Sequence, residues 1–193
     1  MSVVSNIAEV HDILRTQKIE KPQIEDVIPK YLDGDIKKDA LNFTAYLQEN
    51  KMRLIWAVAN GWKIMHKGKV IGYIRLPLHE SHFRNLKKSE GADWRKSWVF
   101  TPYLHNMNRY EDLVINDNLR EFILNGLHYC MPCPHRFCAT ERVVFGNSIK
   151  NLCLGDLYGG MALWYVNPNE AELSCLKKLL EFEKRARIEK STK

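Results

Sequence analysis

Apolar positions recur at helical spacing near both ends of the chain and alternate in its middle, which predicts helices flanking a sheet. Ile7, Val10 and Leu14 share one side of a first helix. A second run begins at Pro22 and carries Ile24, Val27, Ile28, Tyr31 and Leu32, with Pro29 expected to kink or shorten it because proline lacks a backbone donor. Asp33, Gly34 and Asp35 then supply a turn and a cap, and 36–48 places Ile36, Ala40, Phe43 and Leu47 on one helical face.

The period changes to two over 53–59, 62–66 and 70–76, which predicts three strands. Asn60-Gly61 and Lys67-Gly68 separate them, and both dipeptides suit tight turns that need positive φ, so the strands form an antiparallel meander. A fourth strand is predicted over 97–103, ending at Pro102 or lying at a sheet edge. Residues 77–96 have no clear period. A short helix follows over 117–127, with Leu119, Phe122 and Ile123 apolar and Gly126 near its end. Residues 161–166 are a further strand candidate. Asn167, Pro168 and Glu170 look like a cap, first turn and capping box for a C-terminal helix over 168–189, with Leu173, Leu176, Leu179 and Leu180 inward. The pattern predicts an α+β fold: an antiparallel sheet of about five strands with helices packed on one face. Residues 1–34 are a helical segment, and 35–193 a single domain containing a cysteine-rich metal-binding loop at 128–153.

Composition narrows the class. A chain of 193 residues with 45% hydrophobic and 27% charged residues has the balance of an ordinary globular domain, and it can bury a core without a metal or disulfides. No charged start leads into an apolar run at the N-terminus, and no uncharged stretch reaches the roughly 20 residues of a membrane helix, so a cytoplasmic location is expected. The net charge of +6 raises the possibility of an acidic partner. Residues 176–193 hold seven basic residues against three acidic ones, so four of those six charges sit at one helix end and tail. The helix dipole favours cations there, which weakens the case for nucleic acid.

The cysteines carry the chemistry. Four of the five, Cys130, Cys133, Cys138 and Cys153, fall within 24 residues as Cys-x2-Cys-x4-Cys-x14-Cys. A Cys-x2-Cys turn can aim two sulfurs at one ion, with Pro132 and Pro134 restricting the backbone; Cys138 and Cys153 would complete a tetrahedral set, with His135 as a substitute ligand. Soft thiolates favour zinc ahead of an iron–sulfur cluster. Two alternatives stand beside the metal: a redox pair of Cys130 and Cys133, and cysteines buried as small apolar residues. The redox pair lacks the usual stabilising helix N-terminus, since Cys130 follows a predicted helix end.

Two further groups have weaker claims. Trp56, Trp62, Tyr73 and Trp98 lie on or beside the predicted sheet and could line a pocket for a flat ligand, although aromatics there are commonly core. Residues 83–98 interleave Arg84, Lys87, Lys88, Arg95 and Lys96 with Phe83, Trp94 and Trp98, the mixture used by binders of single-stranded nucleic acid and also by basic loops anchored to a core. No phosphate-binding glycine loop, nucleophile elbow or kinase motif is present.

Three stretches, ALNFTAYLQENKM, GWKIMHKGKVIGYIRL, and the run of Cys130, Cys133, Cys138 and Cys153 with VNPNEAELSCLKKLLEFEKR, together resemble an uncharacterised bacterial protein family with a helix, a meander and a C-terminal cysteine cluster. The resemblance runs from about residue 40 onward and implies one intact domain, with no activity attached. The function expected from the sequence is a metal-stabilised binding domain for a small molecule or protein partner. The alternatives are a thiol-redox or metal-dependent enzyme using Cys130 and Cys133, and nucleic-acid binding through 83–98.

Overall fold

The computed structural model describes residues 15–58, 60–76, 93–127, 139–152 and 163–191. The chain divides into two compact units, Met1–Phe100 with Val166–Asn169, and Thr101–Tyr165 with Glu170–Lys193. The first expected helix, carrying Ile7 and Val10, lies outside the described residues.

In the first unit, residues 15–20 are helical and lead to α1 (Ile24–Tyr31) and α2 (Gly34–Glu49). Ile24, Val27, Ile28 and Tyr31 are buried, and Pro29 sits inside α1 with only two helical residues after it. The expected shortening follows from the donor that proline lacks. α2 buries Ala40, Phe43, Thr44 and Leu47. The meander comes next as β1 (Arg53–Val58), β2 (Gly61–His66) and β3 (Lys69–Arg75), paired antiparallel in sequence order. Lys67 and Gly68 both take positive φ, 47° and 77°. This backbone matches the right-handed twist of the strands it joins.

Strand β4 (Val99–Pro102) is buried along its whole length. In the second unit, a short 3-10 turn (Met107–Arg109) precedes α3 (Glu111–Asn116) and α4 (Arg120–Gly126). The hairpin of β5 (Ala139–Val144) and β6 (Asn147–Leu152) forms a sheet of its own. After β7 (Tyr165–Val166) comes the long helix α5 (Glu170–Ser191). The main sheet is five-stranded and antiparallel, in the order β1-β2-β3-β4-β7, and the fold is α+β. β4 therefore has a neighbour on each side and is not an edge strand. Pro102 is tolerated because it is the strand's last residue, where a missing donor interrupts no ladder.

Aromatic packing ties α2 to the sheet within the first unit. The Phe43 ring meets Phe100 edge-on at 4.9 Å and lies 6.0 Å from Trp98, and all three side chains are almost wholly buried. Such rings dominate core energetics through their area, and edge contacts add to it. Trp62 is also buried, and its Nε1 donates to the Pro22 carbonyl at 2.9 Å, fixing the approach to α1.

Asn167 differs from its expected role. It has φ +43°, its backbone N–H donates to Trp98 O at 3.0 Å, its Oδ1 accepts from Trp98 N at 2.9 Å, and its Nδ2 donates to Ser97 Oγ at 3.0 Å. The side chain thus completes backbone pairing beside β4 instead of capping α5, which starts at Glu170. Asn and Asp tolerate left-handed backbone better than other side chains, which suits this position.

Candidate functional site

Cys130, Cys133, Cys138, Cys153 and His135 lie outside the described residues, and what can be built is the scaffold that leads into and out of them. The chain enters the cysteine-rich segment from the C-terminal end of α4, at Gly126, where Leu127 N donates back to Leu124 O. That end presents carbonyls, so α4 supplies no dipole of the sign that stabilises a thiolate.

The β5–β6 hairpin is antiparallel, with Val144↔Asn147, Val143↔Ser148, Arg142↔Ile149, Glu141↔Lys150 and Ala139↔Leu152 as partners. Its turn holds Phe145 and Gly146 at φ +50° and +74°. Val144 and Phe145 are buried, and Arg120 at the start of α4 donates to Phe145 O at 3.2 Å, so the turn end is anchored within the second unit. At the other end the register joins two distant points of the sequence. Cys138 is covalently attached to Ala139 and Cys153 to Leu152, and these two neighbours are cross-strand partners. Among the described residues, no group of three or more His, Cys, Asp and Glu side chains is placed to hold a metal. The fifth cysteine, Cys175, is a half-buried free thiol on α5.

The four aromatic candidates do not share one face of the sheet. Trp56 pairs with Trp62, and Trp62 with Ile74, which sets these three side chains on one face. Tyr73 pairs with Lys63 and so points to the opposite face. Trp62 and Trp98 are 1% exposed and belong to the core. The indole Nε1 groups of Trp56 and Trp98 are buried without a hydrogen-bond acceptor among the described residues.

Of the basic and aromatic segment 83–98, residues 93–98 are described. Arg95 grips Asp93 through Nε and Nη2, both at 2.9 Å, and its guanidinium lies 6.0 Å from the Trp94 ring. The hydrogen bonds from Arg95 hold the Asp93 carboxyl below its usual range, against a smaller upward push from desolvation. Lys96 pairs with Asp33 at 3.1 Å. Both cations already have acidic partners within the chain, which a phosphate backbone would have to displace.

Among the described residues, the most deeply buried charged side chain belongs to no motif of the sequence. Glu183 is fully buried in α5, where its Oε2 accepts from Tyr110 Oη at 2.8 Å and from Asn106 N at 3.2 Å, and its Oε1 accepts from Asn106 Nδ2 at 2.8 Å. One turn further on, Arg109 donates to Ala186 O. The signal was available: Glu183 falls three residues after Leu180 and seven after Leu176, on the same inward stripe. A carboxyl sealed among such donors fastens the 106–110 segment to α5 and is out of a substrate's reach.

Tyr165 is another buried titratable group of this unit. Its ring stacks on Phe122 at 4.6 Å, and its hydroxyl donates to Phe122 O at 3.2 Å. Burial pushes its phenol well above the ordinary value, with smaller contributions from Glu172 and Cys175. Burial thus favours the protonated phenol.

No protein-family model, curated protein or solved structure matches this chain. No helix among the described residues is long and apolar enough to cross a membrane.

Proposed function

We propose that this chain is a metal-stabilised binding domain for a small molecule or a protein partner, in which zinc held by Cys130, Cys133, Cys138 and Cys153 organises the 128–153 segment. The observation that carries this reading is the pairing of Ala139 with Leu152. Cysteines 15 positions apart in sequence each adjoin one member of the same cross-strand pair, which supports their service to a single ion together with the Cys-x2-Cys hook. The donor chemistry fits, because four thiolates match the softness and tetrahedral preference of zinc.

The physical need is local. An isolated two-stranded hairpin is marginal in water, and a ladder frays from its open end. Here the turn end is secured by Val144, Phe145 and Arg120, while Cys138 and Cys153 flank the open end. A metal bridging that end to Cys130 and Cys133 would close the hairpin where the turn cannot, and its binding energy would appear as folding energy of this segment.

Cobalt(II) titration of metal-free, reduced protein tests the reading. The expected spectrum combines thiolate-to-cobalt charge transfer with the intense visible bands of a tetrahedral site. Cys138→Ser and Cys153→Ser should each weaken it. A pale octahedral spectrum, the same in wild type and both variants, rejects the proposal.

A further inference from the structure

We draw no further inference here: the strongest candidate, the outward face of edge strand β1 with Ile55 and Val58 exposed, carries none because nothing in the structure shows what covers it.

Discussion

Tyr110 Oη stands 2.8 Å from Glu183 Oε2, and both residues are buried, so the segment before α3 is fastened to α5 by a hydrogen bond shielded from water. Removing the hydroxyl leaves a buried acceptor short of one donor, which costs about 1–3 kcal/mol. Tyr110→Phe should therefore lower unfolding stability by that amount in urea titration. Glu183→Ala should cost more, because it also strands both Asn106 donors. In the Glu183→Ala background, Tyr110→Phe should have little further effect, since residues in one network do not act additively. Full additivity would show that the two side chains are not coupled.

Gly126 is fixed by a neighbour and not by its own φ. A Cβ there would overlap the Tyr165 ring at Cζ and Oη. That ring is held by Phe122 on its face and by a carbonyl at its hydroxyl, so it has little room to yield. Gly126→Ala should cost about 1–3 kcal/mol as an overpacking change. The penalty should shrink in a Tyr165→Leu background. An alanine tolerated without loss in the wild-type background would contradict the close approach.

The same tyrosine makes a pH prediction. Its folded-state value lies well above the ordinary 10.0, chiefly through burial. Below pH 10 the phenol is protonated in both folded and unfolded chains, and the stability associated with the shift is fully present. As pH rises past the unfolded value, the unfolded chain ionises and the folded one resists, so stability falls until the folded value is passed. Alkaline denaturation should accordingly begin at a higher pH in Tyr165→Phe than in wild type. In the folded wild-type protein, Tyr165 should resist ultraviolet titration until the chain unfolds. Free titration of Tyr165 near pH 10 would contradict this.

The meander and the α2 core were legible in the sequence because each rests on local rules. The Lys67-Gly68 turn needs positive φ and contains a residue that takes it freely, and Phe43 and Leu47 follow helical spacing into the core. The β5–β6 hairpin was hidden for a local reason too. Its turn places Phe145 at φ +50°, where Asn, Asp or Gly is the usual signal, so the chain between Cys138 and Cys153 read as a loop. α3 is a helix of six residues, too short to establish a period, and Asn118 with φ +57° separates it from α4, so the predicted 117–127 helix begins late, at Arg120. Asn167 misled because its sequence context matches a helix cap, whereas Trp98 and Ser97, about 70 residues away in sequence, claim its side chain. Glu183 is hard to read from sequence because its type suggests exposure: its place on the Leu176 stripe dictates burial, and Asn106 and Tyr110, distant in sequence, make that burial tolerable. The cysteine spacing is plain in the sequence, whereas the pairing of Ala139 with Leu152, the neighbours of Cys138 and Cys153, depends on the hairpin register.

Plasma mass spectrometry of purified protein that has never met a chelator reads the metal content of the chain. Roughly one zinc per chain is expected, with clear loss in Cys138→Ser and Cys153→Ser. Less than about a tenth of an equivalent of zinc or iron in the wild-type protein would contradict it.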